Sequence, residues 1–203
     1  MNKKHTICFI TPPSPFLLDE RVFMHLGILK VASSLESKGH KVDFLDLSGI
    51  ENYLDVIKDY CLDKENITFG ITATTPQVPF AVNISKKIKE LILYSKVILG
   101  GPHVTLMNTA SKREASFGLN SSDRATKEIS KLVKLFDILV CGDGELSIFE
   151  ALKIDKGIID ADDRKSKFFL SNQDFSTLPF PARHLVDVES YMYDIEGKKA
   201  TSL

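Results

Sequence analysis

Four loops of this sequence combine glycine, proline and hydroxyl side chains in a pattern suited to ligand contact. They read Thr11-Pro12-Pro13-Ser14, Thr74-Thr75-Pro76, Gly100-Gly101-Pro102-His103 and Cys141-Gly142-Asp143-Gly144-Glu145. Glycine lets a backbone pass close to a ligand, and hydroxyl groups donate and accept hydrogen bonds without bulk. Each loop alone also has a structural explanation, because turns and helix caps use the same residue types.

Several common kinds of chemistry have no motif in this chain. The first loop is P-P-S-P, where a dinucleotide-binding fold has GxGxxG and a receiver domain has magnesium-binding carboxylates. No GxxxxGK[ST] phosphate loop, no Ser/His/Asp order and no metal-spaced His/Cys set is present. We therefore predict neither a catalytic residue nor a metal site, and we expect Cys141 to be a small buried residue rather than a nucleophile.

The composition excludes further classes of protein. The length of 203 residues suits one domain with its own core. The formal net charge of −1 gives no sign of the basic surface that binding to nucleic acid or an anionic membrane requires. The apolar run near the N-terminus stops at Pro12, too early for a signal peptide or a membrane span. With only three, widely spaced cysteines, these features predict a cytoplasmic protein.

Short apolar runs alternate with segments of helical periodicity, and these elements must position the four loops. The predicted strands are residues 6–10, 41–46, 67–73, 96–99 and 137–140. The predicted helices are residues 25–38, 52–61, 78–93, 125–136 and 146–152. This alternation predicts an α/β fold with a flavodoxin-like, doubly wound parallel sheet of five strands in the order 2-1-3-4-5. Ligands of such sheets bind beyond the carboxyl ends of the strands, where all four loops would lie.

The last quarter of the chain has a different character. Residues 157–159 and 167–170 are predicted to pair as a short hairpin, and the proline-rich residues 178–183 to form an extended connector. We place a domain boundary after residue 153, between an α/β domain of residues 1–153 and a hairpin and connector of residues 154–203. Residues 108–123, rich in serine and asparagine, are predicted to be mostly loop.

Six segments, taken in order, carry a resemblance to a known family. They read P-S-P-F-L-L-D-E-R after the first strand, H-L-G-I-L-K-V-A-S-S-L-E-S-K-G-H-K-V (25–42), G-I-T-A-T-T (70–75), V-I-L-G-G-P-H-V-T (97–105), D-I-L-V-C-G-D-G-E (137–145) and L-P-F-P-A-R (178–183). The ordered set resembles the N-terminal cobalamin-binding domain of B12-dependent radical SAM proteins. The resemblance implies a corrinoid, cobalamin bound base-off, as the ligand of this chain.

The same resemblance implies a partner domain in the same polypeptide. That domain is a radical SAM barrel, which binds a [4Fe–4S] iron–sulfur cluster and S-adenosyl-L-methionine and would make the full-length protein an oxidoreductase or methyltransferase. The chain ends about where the first barrel strand would begin, so we expect it to be a fragment that is not an enzyme by itself. A CxxxCxxC motif encoded just downstream would support this interpretation.

The resemblance also implies which residues bind the cofactor. Thr74 and Thr75 would approach the corrin and its nucleotide tail, and Gly100 and Gly101 would let the tail pass the fourth strand. The other residues implied at this edge are Thr11, Pro12, Ser14, His103, Gly142, Gly144 and Glu145. No D-x-H-x-x-G motif supplies a histidine ligand to cobalt. We expect a Cβ at Gly101 to intrude on the tail channel, so that Gly101→Val weakens binding more than stability.

Other interpretations remain open at the level of the sequence. The chain could be a flavodoxin-like domain that binds no cobalamin and serves as a ligand- or partner-binding module, or one lobe of a nucleotide-sugar transferase. Structural roles also suit His103 in a turn, Asp143 and Glu145 at a helix N-terminus, and Gly27 in helix–sheet packing.

Overall fold

A parallel sheet of six strands forms the centre of the fold in the computed structural model, which describes residues 4–65, 67–118, 123–191, 194–195 and 198–199. The strands are β1 (Thr6–Thr11), β2 (Lys41–Asp46), β3 (Thr68–Thr72), β4 (Lys96–Gly100), β5 (Ile138–Cys141) and β6 (Gly157–Asp160). Their order in the sheet is β2-β1-β3-β4-β5-β6, and every neighbouring pair is parallel. The chain order therefore reverses direction between β1 and β3.

Helices cover both faces of this sheet. They are α1 (Leu26–Glu36), α2 (Tyr53–Cys61), α3 (Val78–Leu91), α4 (Pro102–Ser116), α5 (Arg124–Leu135) and α6 (Gly144–Ala151). A further short helix, α7 (Asn172–Thr177), has no buried residue. Buried residues of α2 to α5 share one apolar cluster with the sheet, and those of α1 and α6 share another. None of the helices in the described part of the chain is long and apolar enough to cross a membrane.

Strand β1 shows why the two cores form. Its residues Ile7 to Ile10 are all buried, as expected for a strand covered on both faces. Successive side chains alternate between faces, so Cys8 and Ile10 join the core under α2 to α5, whereas Ile7 and Phe9 join the core under α1 and α6. The same alternation puts Thr11, at the carboxyl end of β1, on the face of α1 and α6.

The predicted sheet is confirmed in its class and in the order of its first five strands, but the predicted count of five strands and the predicted hairpin are wrong. Residues 157–160 form β6, which pairs parallel to β5 and extends the main sheet, with Val140 opposite Ile159. Residues 167–170 form no strand, and Phe168 instead packs against the core under α1 and α6. Helix α6 is a short crossover that returns the chain to the free edge of β5. Residues 157–160 therefore form backbone hydrogen bonds with β5 rather than with residues 167–170.

The loop predicted for residues 108–123 is also wrong over most of its described length. Helix α4 runs from Pro102 to Ser116, because its alanine, lysine, arginine and glutamate residues favour helix more than its serines oppose it. Two of the polar residues bind the end of the sheet: Asn108 donates to Asp160 at 2.9 Å and Thr109 to Asp162 at 2.9 Å. Residues 119–122 lie outside the described part of the chain.

The segment after β6 crosses α1 toward the carboxyl edge of the sheet. The amide of Ala182 donates to the carbonyl of Leu29 in α1 at 3.0 Å. Tyr191 then donates to Asp46 at the end of β2, and Arg21 donates to Ser190 at 2.8 Å. A two-stranded antiparallel pair, β7 (Asp194–Ile195) and β8 (Lys198–Lys199), follows. The domain boundary after residue 153 stays a prediction.

Candidate functional site

A cavity of about 220 Å³ opens at the carboxyl edge of the sheet, on the face of α1 and α6. Its wall is formed by the first turns of α1 and α6 and by residues of β1, β3, β4 and β5. The cavity thus spans the point between β1 and β3 where the strand order reverses. This is the position at which open α/β sheets bind ligands.

Apolar side chains and glycine backbone make up most of the cavity lining. The apolar side chains are those of Phe9, Ile28, Val31, Ile98, Pro102, Val140 and Ile148. Ile71 also belongs to the lining, although its side chain packs in the core under α2 to α5. The glycines are Gly27, Gly70, Gly100, Gly101, Gly142 and Gly144. Polar side chains come from Thr72, Asp143 and Glu145. A mostly apolar cavity with a few polar groups is typical of sites for organic ligands.

The sequence-predicted binding residues divide into two groups. Five of them line the cavity: Gly100, Gly101, Gly142, Gly144 and Glu145. The other six lie outside its lining: Thr11, Pro12, Ser14, Thr74, Thr75 and His103. Thr11, Pro12 and Ser14 are buried, and Gln77 donates to the carbonyl of Pro12 at 2.8 Å, which joins the loops after β1 and β3.

Two of the cavity glycines are required by the backbone around them. Gly101 has a φ of +95°, and a Cβ there would lie 2.6 Å from Thr72 Oγ1 and 2.9 Å from the amide nitrogen of Ala73. Gly142 has a φ of +85°, and a Cβ there would lie 2.5 Å from the amide nitrogen of Asp162. A side chain at either position would press on a neighbouring loop. The expectation that Gly101→Val would mainly affect ligand binding is therefore revised: its first effect is on the fold.

Gly27 is different, because a Cβ there would meet no atom within 4 Å. It is the second residue of α1 and lies one turn before Val31, on the same face of the helix, and both residues line the cavity. Close helix–sheet packing does not explain this glycine. The sequence offered one signal, a glycine near the predicted start of a helix, but close packing of that helix against the sheet was the favoured explanation for it.

Phe9 and Gly70 form a second feature that the sequence analysis missed. A Cβ at Gly70 would lie 2.5 Å from Cε1 of Phe9, so the phenyl ring lies across the glycine on the neighbouring strand. The ring forms part of the cavity lining. Glycine inside an otherwise apolar strand signals such a close approach, and Gly70 in T-F-G-I-T is that signal.

Glu145 is the buried carboxyl group of the cavity. It belongs to the first turn of α6 and is only 6% exposed, whereas Asp143, which precedes α6, is exposed. Burial raises the pKa of Glu145, and the nearby charge of Asp143 adds to the rise, whereas backbone hydrogen bonds from Glu145 and Gly144 and the charge of Lys30 oppose it. Burial and the charge of Asp162 likewise raise the pKa of Asp143. Both carboxyls therefore hold a proton more tightly than they would in water.

His103 belongs to a separate polar group beneath the other face of the sheet. It is 5% exposed in α4, with Nδ1 3.1 Å from Thr75 Oγ1 and Nε2 3.7 Å from Glu128 Oε1. Burial lowers the pKa of His103, while the Glu128 carboxylate opposes that change. Thr75 is exposed at the carboxyl edge. His103 does not line the cavity, and its contact with a ligand stays a prediction.

The described residues contain no group of three or more His, Cys, Asp or Glu side chains that could hold a metal ion. The three cysteines are buried and unpaired, and burial raises the pKa of Cys141 to about 12. The expectation that Cys141 is a small buried residue is confirmed. Thr11 presents a buried hydroxyl, Oγ1, that has no hydrogen-bond partner.

Comparison with known proteins gives limited information. No family model and no curated protein matches the chain. Among solved structures, the radical S-adenosylmethionine methyltransferase TsrM from Kitasatospora setae with tryptophan substrate and a SAM analogue bound is 17% identical over 52% of this chain, with a TM-score of 0.45. TsrM with cobalamin and a [4Fe–4S] cluster bound is 16% identical over 57%, with a TM-score of 0.44. This chain covers 21% of each TsrM chain. Likeness at this level identifies neither a family nor a function.

Proposed function

We propose that this chain is the cobalamin-binding module of a B12-dependent radical SAM protein. The single observation that carries the proposal is the position of the cavity, at the carboxyl edge where the strand order reverses and between the first turns of α1 and α6. The ordered sequence motifs support the same proposal, because the segments 97–105 and 137–145 contribute residues to this cavity.

The residues of the cavity fit one end of an elongated organic cofactor. Gly27 leaves space that any side chain would fill, and Gly100 makes only ordinary contacts at the position of its missing Cβ. The apolar side chains of Phe9, Ile98 and Val140 would exclude water from the enclosed part of the ligand. In this proposal the nucleotide tail enters the cavity and the flat corrin ring lies over the edge of the sheet, near Thr74 and Thr75.

Cobalamin, when bound, would supply a carrier for a methyl group or a means of tuning radical chemistry. The residues of this chain would bind and orient it and would keep water from its tail. No residue of the chain is assigned a catalytic role. We propose that the cluster, S-adenosylmethionine and the substrate bind a radical SAM barrel of the full-length protein, which would then perform methyl transfer or related radical chemistry.

The lower face of the corrin would lack a histidine ligand in this proposal. The loop after β1 contains no histidine before His25, which precedes α1 directly. His103 is held on the opposite face of the sheet by Thr75 and Glu128. We therefore propose base-off cobalamin without an axial imidazole from this chain.

Binding of hydroxocobalamin to the purified chain tests the proposal. The protein is incubated with excess hydroxocobalamin and desalted, and its visible spectrum is recorded. We expect retained corrinoid at about one per chain. Gly27→Leu should abolish retention, because the leucine side chain would occupy the mouth of the cavity. Lys86→Leu, at an exposed position of α3 on the opposite face, is the matched control and should bind as the parent does.

Complete loss of corrinoid from the parent chain on desalting would contradict the proposal for this chain. Equal retention by the parent chain and by Gly27→Leu would show binding at a different place. In that case the flavodoxin-like module without a cobalamin site becomes the better interpretation of the cavity.

A further inference from the structure

The charged side chains that line the cavity all carry the same sign. They are the carboxyls of Asp143 and Glu145, and no lysine, arginine or histidine of the described chain contributes to the lining. Asp143 is exposed, whereas Glu145 is 6% exposed and lies among apolar side chains such as Val31 and Ile148. A ligand group that enters the cavity therefore meets one buried carboxyl and no cation.

The position of Glu145 is fixed by the start of α6. A Cβ at the preceding Gly144 would lie 2.6 Å from Cγ2 of Val31, so the two helices approach each other closely at this point. The hydroxyl of Ser147, which is fully buried, donates to the carbonyl of Asp143 at 2.7 Å and holds the first turn of α6. Backbone hydrogen bonds from Glu145 and Gly144 reach the carboxyl itself, so the group is held at the start of α6, beside the cavity.

Within the described part of the chain, this carboxyl has backbone hydrogen bonds from Glu145 and Gly144 at the start of α6 but no ion pair with a lysine, arginine or histidine. Lys30, whose charge acts on Glu145, lies with Nζ 4.4 Å from the centre of the Phe175 ring, a cation–π contact outside the cavity lining. Asp143 is the other charge that acts on Glu145, and it is of the same sign. A buried carboxyl without a cationic partner accepts hydrogen bonds readily, but it disfavours any anion placed beside it.

We infer that Glu145 makes this cavity selective for an uncharged group that donates hydrogen bonds, such as a carboxamide or a hydroxyl, and excludes carboxylates and phosphates. A phosphate-bearing ligand must then keep its phosphate outside the cavity and insert a neutral part. The identity of the whole ligand rests on the proposed function, whereas this preference of the cavity does not.

Benzamide and benzoate are suitable probes, because they have nearly the same shape and differ in charge and in hydrogen-bond donors. Each is titrated into the ¹⁵N-labelled chain at pH 7.5, and the shifts of the backbone amide resonances of Gly27, Gly100 and Glu145 give the two dissociation constants. We expect benzamide to bind at least tenfold more tightly than benzoate. Glu145→Gln should bring the two constants to within about threefold of each other, because the amide removes the charge and can donate to a carboxylate.

Glu150→Gln is the matched control, since it removes one carboxyl from the same helix at a position outside the cavity lining. This variant should keep the parent preference. Three results would overturn the inference: benzoate binding as tightly as benzamide, no saturable shift at the cavity resonances with either probe, or a loss of preference in Glu150→Gln equal to that in Glu145→Gln.

The outcome is separable from that of the proposed function. If hydroxocobalamin fails to bind while the preference for benzamide is intact, the proposed function is wrong and the inference about Glu145 stands. If cobalamin is retained but benzoate competes with it as well as benzamide does, the inference about Glu145 is wrong and the proposed function stands.

Discussion

Substitutions at Gly27 and Gly101 should have opposite effects, although both glycines line the same cavity. Gly27 is helical, and its missing Cβ faces open space, so Gly27→Ala should raise the free energy of unfolding by about 0.5 kcal/mol. Gly101 combines a φ of +95° with a Cβ position 2.6 Å from Thr72 Oγ1. With a ψ of −175°, this backbone conformation is almost exclusive to glycine and costs another residue about 1–3 kcal/mol, and the close contact adds to that cost. Gly101→Ala should therefore lower the free energy of unfolding by at least about 2 kcal/mol.

Thermal unfolding of the ligand-free variants measures this difference directly. For a chain of this length, 1 kcal/mol corresponds to about 2–4 °C in Tm, so Gly101→Ala should lower Tm by about 4–8 °C and Gly27→Ala should raise it by about 1–2 °C. Gly27→Leu should remain folded and lose cobalamin. A Gly101→Ala variant as stable as the parent, or a Gly27→Leu variant that unfolds, would refute the assignment of one glycine to the fold and the other to the cavity.

Three further predictions follow from other contacts. Burial raises the pKa of Glu145 above its ordinary value of 4.5, so the parent should lose stability as the pH rises from 4.5 through the raised pKa. Glu145→Gln should therefore have a higher Tm than the parent at pH 7. A difference in Tm between the two proteins that widened toward pH 4 would contradict this prediction. Asp137 accepts from Val97 N at 2.9 Å and from Lys89 Nζ at 2.8 Å, so Asp137→Ala should lower the free energy of unfolding by about 2–3 kcal/mol in urea titrations, and an unchanged midpoint would disprove that role. The Co(II) form of the loaded protein should show no splitting from an axial nitrogen in electron paramagnetic resonance; splitting that disappears in His25→Ala or His103→Ala would overturn the absence of a histidine ligand.

The sequence predicted the sheet well because its signals are local and agree with one another. Strands β1, β3, β4 and β5 are short apolar runs followed by glycine, proline or a polar loop, and burial on both faces makes such runs distinctive. The edge strand β2, K-V-D-F-L-D, is instead recognisable by its alternation of polar and apolar residues. The pattern also predicts a strand at residues 157–159, but it assigns the wrong partner, residues 167–170 instead of β5. The pairing of β6 depends on α6 returning the chain beside β5, which is a tertiary effect.

The cavity was predictable only in part, for a related physical reason. Loop position identified Gly100, Gly142 and Glu145, because the carboxyl ends of parallel strands share one edge. Loop composition does not indicate on which face of the sheet a loop residue lies. Thr75 and His103 were therefore predicted to share a site with Gly100 and Glu145, although they contact each other on the opposite face of the sheet from the cavity. The distinction between Gly27 and Gly101 depends on φ and on contacts across the chain, which no local pattern encodes.

The affinity of the chain for cobalamin relative to cobinamide, which lacks the nucleotide tail, tests most directly whether the cavity between α1 and α6 receives that tail. Equilibrium dialysis of the parent chain and of Gly27→Leu against each corrinoid gives four dissociation constants. If the tail occupies the cavity, the parent should bind cobalamin at least tenfold more tightly than cobinamide, a difference of about 1.4 kcal/mol, and Gly27→Leu should lose that preference. Equal affinity of the parent for the two corrinoids, or no binding of either, would contradict a cobalamin tail in this cavity.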